Sequence, residues 1–301
     1  MTTASSSAPD TGPNTVKGVL WMLFVTFNFV MVNVLVKYIG TDLPVLETAF
    51  LRFALGAVFL IPMLGTVRQV RFTAEIWKLA ITRALFHATA MSLWFFAMTR
   101  IPMSEVTAMN FMNPIYITIG AVLIFRERIA LQRSLALVVA VIGGLVILRP
   151  GFRALDPGHV AMIFSAMAFA GSYLLANALN KRVPSTVVVF LMSTMVPVVI
   201  APLALAHWQA PNWTQLGMLF LTAAFATTAH YSMMRAFAHA PQSVVQPVTF
   251  VQLVWATILG MVLFGEAFDP FVMLGGAMII GAISFITWRE KRARQRAART
   301  G

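Results

Sequence analysis

The sequence predicts an all-α integral membrane protein: ten transmembrane helices arranged as two inverted five-helix repeats. Three observations carry that expectation. Apolar residues make up 59% of the 301 and charged residues only 11%, whereas water-soluble domains carry about 25% charged residues. Apolar runs of 18 or more residues, the length that a hydrocarbon core about 30 Å thick demands, fill nearly the whole chain. A long stretch of the first half also recurs in the second without a gap.

Charged or Pro/Gly-rich breaks divide the chain into spans at about 16–38, 44–66, 77–99, 102–124, 130–148, 158–180, 184–206, 214–238, 242–264 and 269–288. The connections are short, and alternate loops differ in Lys and Arg. One set, with both termini, holds Lys17, Arg68, Arg71, Lys78, Arg126, Arg128, Arg133, Lys181, Arg182, Arg235 and the tail; the other holds only Lys37, Arg100, Arg149 and Arg153. Short basic loops stay cytoplasmic, so an inner-membrane location with both termini inside is expected. Residues 1–15, rich in Ser, Thr and Pro, read as a disordered polar tail and lack the charged start and apolar centre of a signal peptide. The net charge of +12 owes much to residues 289–301, directly after an apolar span, so it reads as an anchor to anionic lipid rather than a nucleic-acid surface.

Sliding residues 81–127 by 139 positions onto 220–266 aligns Pro102 with Pro241, Ser104 with Ser243, Phe111 with Phe250, Phe125 with Phe264 and Glu127 with Glu266. Apolar composition alone would not put the Pro, Ser and Glu pairs in one register. The first two spans of each half repeat more weakly at an offset of 140, through Gly18 and Gly158, Pro44 and Pro184, Pro62 and Pro202. Two repeats result, 16–151 and 157–288. Five spans per repeat force the second to enter the membrane from the opposite side, the plan that lets secondary transporters exchange inward- and outward-facing states.

Several runs carry a family resemblance: Ala49-Phe50-Leu51-Arg52-Phe53, the segment from Ile101-Pro102 through Glu105 to Asn113-Pro114, Phe125-Arg126-Glu127-Arg128, and Gly143-Gly144 followed by Arg149-Pro150-Gly151. They resemble the EamA repeat of the ten-helix branch of the drug/metabolite transporter superfamily over nearly the whole chain. The second half departs from the first by lacking Arg at the Arg52 position and Pro at the Pro114 position. The resemblance implies a membrane carrier without ATP or a prosthetic group. The segment from the third to the fifth span is most similar to the branch that includes riboflavin and S-adenosylmethionine uptake carriers, beside amino-acid exporters.

Polar groups inside apolar spans are costly enough to be functional candidates. Arg52 sits about 12 Å below one end of its span at 1.5 Å per residue, facing either a substrate anion or ring edge, or a structural partner such as Glu47 or a neighbouring carbonyl. Glu47 and Arg52 are about 140° apart around one helix, so they should not pair with each other. Arg83, His87, Ala90 and Trp94 share a face: His87 and Trp94 offer an imidazole and a stacking surface, whereas Arg83 is expected to snorkel to the head groups. Thr107, Asn110, Asn113 and Tyr116 form a polar-to-aromatic stripe matched in the second half by Gln246, Thr249, Gln252 and Trp255, lining a site between repeats or bonding neighbouring helices. His230 and Tyr231 add a second imidazole and a phenol. Glu105 is either a protonatable gate or an interfacial carboxylate. Glu127 and Glu266 are expected to open the fifth and tenth spans, where a helix dipole favours a carboxylate, and Gly143-Gly144 and Gly275-Gly276 to admit close helix packing.

No phosphate loop, dinucleotide fingerprint, zinc motif or nucleophile elbow is present, and there is no cysteine. An enzyme or lipid scramblase is therefore disfavoured, as is an ATP-driven pump. The expectation is a secondary active transporter of a small organic metabolite, whose aromatic side chains reward a planar ring. Uptake of a heteroaromatic compound such as riboflavin leads; export of amino acids or drugs, or S-adenosylmethionine uptake, follows. The implied partners are that substrate, the lipid bilayer and a coupling proton, with no cofactor and no nucleic acid.

Overall fold

The computed structural model describes residues 15–125, 131–152, 154–240 and 242–300. The expected N-terminal tail, the Arg126–Arg128 loop with Glu127, and Arg153 lie outside the described residues, as do most side chains of the basic tail. All regular elements described are helical. α1 runs Thr15–Ile39 and ends at Gly40, whose φ of +58° suits a residue without a Cβ. α2 begins after Pro44 at Val45–Gly56, tightens into a 3-10 turn over Ala57–Met63, where Pro62 lacks the N–H an α-helix would use, and finishes at Leu64–Val67. α3, Ala74–Met98, starts at Thr73, whose hydroxyl accepts from Ile76 N.

α4 is broken: Met103–Asn110 and Asn113–Phe125 are separated at Phe111 and Met112. Pro114 cannot donate to the Asn110 carbonyl and its ring crowds that oxygen, so the ladder is interrupted there. α5 is Leu131–Leu148. α6, Pro157–Asn180, opens with a capping box in which Gly158 N donates to Asp156 Oδ1 at 2.6 Å and Asp156 N donates to His159 Nδ1 at 3.0 Å. α7 is Ser185–Ala206 with Pro197 and Pro202 inside it. α8 is Trp213–His239, capped reciprocally by Asn212 and Gln215. α9 is assembled from Gln242–Val245, a 3-10 turn Pro247–Thr249 and Phe250–Phe264, so the second half interrupts the matching helix with a different proline. α10, Pro270–Thr300, carries the basic tail on as helix.

Seven of these helices are long and apolar enough to cross a membrane. They are α1, α2 with its continuation, α3, α6, α7, Pro247–Phe264 of α9 and Pro270–Arg289 of α10. Three further expected spans fall outside that set for visible reasons. Each part of α4 is too short, α8 carries Thr, His, Ser and Arg among its apolar residues, and in α5 only the side chains of Ser134–Leu148 are described.

The packing pairs follow one rule. α1 packs on α8 as α6 packs on α3, and α3 packs on α7 as α8 packs on α2. The second part of α4 packs on α6 as α9 packs on α1, while α2 on α7, α4 on α9 and α5 on α10 pair with their own repeat-mates. Exchanging the two halves maps this set onto itself, as a twofold relation between repeats requires. At the α5/α10 crossing the glycines do what the sequence anticipates. A Cβ on Gly143 would stand 2.8 Å from the Gly275 carbonyl oxygen, so the backbones approach more closely than side chains allow. The main apolar core joins α3, α4, α6, α7, α9 and α10 through residues such as Phe95, Met98, Met109, Ile115, Met162, Leu253 and Ile279.

Candidate functional site

Four basic groups gather deep in the helix bundle. Arg52 lies seven residues into α2 and stacks its guanidinium over the Phe53 ring at 4.6 Å; its buried Nε has no hydrogen-bond partner. His87, about halfway along α3, is clasped edge-on by Phe53 at 6.0 Å and Phe169 of α6 at 5.3 Å, with Nδ1 3.3 Å from Ser172 Oγ. It is within electrostatic reach of Arg83, Arg52 and His230, and His230 is within reach of both arginines. His230 donates Nδ1–H to the Ala226 carbonyl at 2.7 Å, which leaves Nε2 as an acceptor, and meets the Phe29 ring at 5.4 Å. His230 keeps accessible surface.

Arg83 does not snorkel. Its side chain is buried, with Nη1 donating to the Val188 carbonyl at 2.8 Å and Nη2 3.2 Å from the Met192 sulfur, because α7 packs closely enough to offer a carbonyl. Glu47 and Arg52 do not pair: Glu47 Oε2 accepts from Gln209 N at 2.9 Å. Sequence reasoning did not single out Phe53, Phe169, Ser172 or Tyr173 beside this cluster. Their only signal was a hydroxyl pair, Ser172-Tyr173, inside an otherwise apolar span.

The repeated stripe stands apart from that cluster in its contacts. At the α4 break Asn113 Nδ2 donates to Asn110 Oδ1 at 2.8 Å, while the buried Asn113 Oδ1 has no partner. Tyr116 packs half-buried on the core. In α9, Thr249 donates to the Gln246 carbonyl at 2.6 Å, and the Gln252 amide, half-buried, meets no hydrogen-bond partner among the described residues. Trp255 is turned to the exposed face it shares with Ile258 and Val262. Tyr231 is likewise exposed, edge-on to Trp21 at 6.4 Å. Trp94 is buried edge-on to Phe95 at 5.3 Å.

A second polar cluster closes the end of the bundle opposite the described chain terminus. Lys37 at the end of α1 pairs with Glu266 at 2.6 Å and donates to the Ile101 carbonyl at 2.9 Å. Glu266 was expected to serve its own helix, α10. Instead it lies in the preceding connection and accepts from Met103 N at 2.9 Å, because the first turn of α4 has unsatisfied amides beside it. Arg149 pairs with Asp269 and lies over Phe271 at 4.8 Å; its φ of +46° is a left-handed conformation that costs about 1 kcal/mol or more for a residue with a Cβ. Glu105 is no interfacial carboxylate. It is 3% exposed and pairs with His159 Nε2 at 2.6 Å. Each of these three ion pairs joins the first half of the chain to the second. Beside them lies a recess of about 360 Å³, lined among others by Glu105, Arg149, Asp269 and Phe271.

A family model of the EamA-like transporter family matches residues 16–149 and again 156–288. The chain belongs to that family. EamA-like relatives include a riboflavin transporter of Vibrio cholerae, 30% identical over 93% of this chain and 96% of that protein. An S-adenosylmethionine uptake transporter of Rickettsia prowazekii is 26% identical over 92% and 94%. A pseudopaline exporter of Pseudomonas aeruginosa is 25% identical over 91% and 97%. A solved crystal structure superposes with a TM-score of 0.60 at 16% identity, covering 92% of this chain and 99% of the other, which shows a shared fold. An EamA chain with two repeats and membrane-spanning helices is a transporter of the drug/metabolite superfamily.

Proposed function

We propose that this transporter is a secondary active carrier for uptake of a heteroaromatic metabolite such as riboflavin. In this reading ten spans form two inverted five-helix halves in the inner membrane, with both termini cytoplasmic. The observation that carries it is the His87 imidazole held between the Phe53 and Phe169 rings beside an Arg52 with an unused Nε. Aromatic edges and faces with one cation suit a planar, polar-rimmed ring. The residues belong to α2, α3 and α6, so they draw on both halves, where inverted-repeat carriers bind. Asn113 and Gln252, each with an unused polar atom, are the stripe members best suited to reach a ligand in such a cavity. Of the sequence candidates, Trp94, Trp255 and Tyr231 then serve packing or the lipid boundary.

Export is the second reading, favoured by the likeness to a pseudopaline exporter. Proteoliposomes loaded or bathed with radiolabelled riboflavin, and growth of a riboflavin auxotroph expressing the chain, test both direction and substrate. Saturable uptake that fails in Arg52→Ala supports the leading reading. Efflux alone supports the second, and lipid movement without solute would overturn both. Asn113→Ala and Gln252→Ala should each weaken binding by about 1 kcal/mol, with non-additive losses if both touch one ligand.

A further inference from the structure

The chain has ten acidic residues, and none lies in the interior of an apolar span. Glu47, Glu75 and Glu105 occupy the first three positions of their helices. Asp42, Glu127, Asp156, Glu266 and Asp269 fall between helices in the sequence; Asp10 precedes α1 and Glu290 follows the apolar part of α10. Near the acidic ends, charges are matched: Lys37 has Glu266, Arg149 has Asp269, Arg182 has Glu75, and His159 has Glu105. Deep in the bundle they are not. Arg52 and Arg83 stand with His87 and His230 and no carboxylate among the described residues, and both arginines keep a buried Nε without a partner.

A charge taken out of water costs several kcal/mol even after the protein relaxes, unless an opposite charge meets it. Intramembrane arginines accordingly pair with acids, with backbone carbonyls or with a ligand. Arg83 has its carbonyl on Val188. Arg52 has only the face of Phe53, which answers part of the charge and none of the N–H groups. Two histidine rings at the same place bring no negative charge.

We propose that the transported molecule carries an acidic group, a carboxylate or a phosphate, and that Arg52 is its counter-ion within the cavity. This rests on the reading of the Arg52 cluster as the substrate site and narrows it to ring compounds that bear an acid, which excludes neutral riboflavin itself: the ring lies by Phe53, His87 and Phe169, and the acid meets the guanidinium fork. A planar fork suits either oxyanion by two parallel hydrogen bonds. It disfavours a ligand whose charge is net positive. The alternative source of a negative charge is a chloride ion from solution, resident beside a neutral substrate.

The experiment uses matched pairs that differ only in the acid: riboflavin and its 5′-phosphate, adenosine and its 5′-phosphate, nicotinamide and nicotinate. Each is bound to the purified full chain in detergent, by calorimetry and by melting shift, in chloride-free buffer and with sodium chloride added back; benzoate serves as a minimal ring-bearing acid and inorganic phosphate as an acid without a ring. The acid member of any pair that binds should be tighter by about tenfold or more, the discrimination expected when a buried charge would otherwise lack its partner. That preference should vanish in Arg52→Gln and persist in part in Arg52→Lys. If Arg52→Gln does not survive extraction, the wild-type preference and its competition by benzoate decide. Equal or tighter binding of the neutral members overturns the proposal, as does a preference that survives Arg52→Gln, or an Arg52-dependent melting shift produced by chloride alone. If no anion binds or shifts melting, the proposal fails while riboflavin uptake would still support the ring-binding reading. If acids bind and no ring-bearing compound is transported, the ring-binding reading fails and the anion site stands.

Discussion

Replacing Gly275 with alanine tests the close backbone approach of α5 and α10. A methyl group on Gly275 would collide with the Gly143 carbonyl oxygen and with Ile147, and in the reverse direction one on Gly143 would stand 2.8 Å from the Gly275 oxygen, 3.0 Å from Ile279 and 3.1 Å from Met278. A carbonyl oxygen in an α-helix cannot swing aside as a side-chain tip can, so α5 and α10 must part. Overpacking of this kind costs roughly 1–3 kcal/mol. Alanine also favours the helix over glycine by about 1 kcal/mol, which would mask part of the loss. Gly281 lies further along the same α10, and a Cβ there meets nothing within 4 Å. Gly281→Ala therefore gains the propensity without the collision. The difference between the two variants isolates the clash, and thermal unfolding of both in one detergent should place Gly275→Ala below Gly281→Ala by about 1–3 kcal/mol. Equal melting would refute the claim that these backbones touch.

Three further expectations concern the closed end of the bundle and its orientation. Glu105→Ala removes one member of a pair whose side chains are 3% and 5% exposed, so stability should fall by about 3 kcal/mol; a double change with His159→Ala should cost less than the sum of the two, and additive losses in the cycle would dissolve the pair. Glu266→Ala takes away both the Lys37 partner and the Met103 N–H acceptor, for a loss of about 2 kcal/mol, and Lys37→Ala made on top of it should add little. Because the chain has no cysteine, Phe268→Cys and Gln69→Cys report sidedness directly. An impermeant thiol reagent applied to intact cells should modify the first and spare the second, and the opposite pattern would reverse the orientation argued from the basic loops.

Local chemistry made much of the fold legible. Apolar length marks spans because the bilayer leaves the backbone no other partner, and the Asn113-Pro114 pair announces the break in α4 because a missing N–H acts within one turn. Rotation about a helix axis was harder to read. Gln252 and Trp255 are only three residues apart and were taken for one stripe, yet Trp255 joins the exposed face of Ile258 and Val262 while Leu253 and Ala256 take the core. What faces inward depends on which neighbour packs there. Long-range pairs were illegible for the same reason: nothing near Glu105 foretells His159, 54 residues on, and nothing near Glu266 foretells an amide 163 residues earlier. Arg83 was misread because its depth alone favours the head groups, whereas the Val188 carbonyl that holds it belongs to another helix.

Four ion pairs join the halves among the described residues: three at the Lys37 end and that of Arg182 with Glu75 at the other. Those of Lys37 with Glu266 and of Arg149 with Asp269 keep 10–25% of their side-chain surface accessible and that of Glu105 with His159 3–5%, so salt screens all three weakly. The Arg182–Glu75 pair, with side chains 36% and 62% exposed, is screened most. The protein thus has a built-in asymmetry: its halves are held by partly buried charges at one end and by an exposed pair at the other, so rising ionic strength weakens the second fastening before the first.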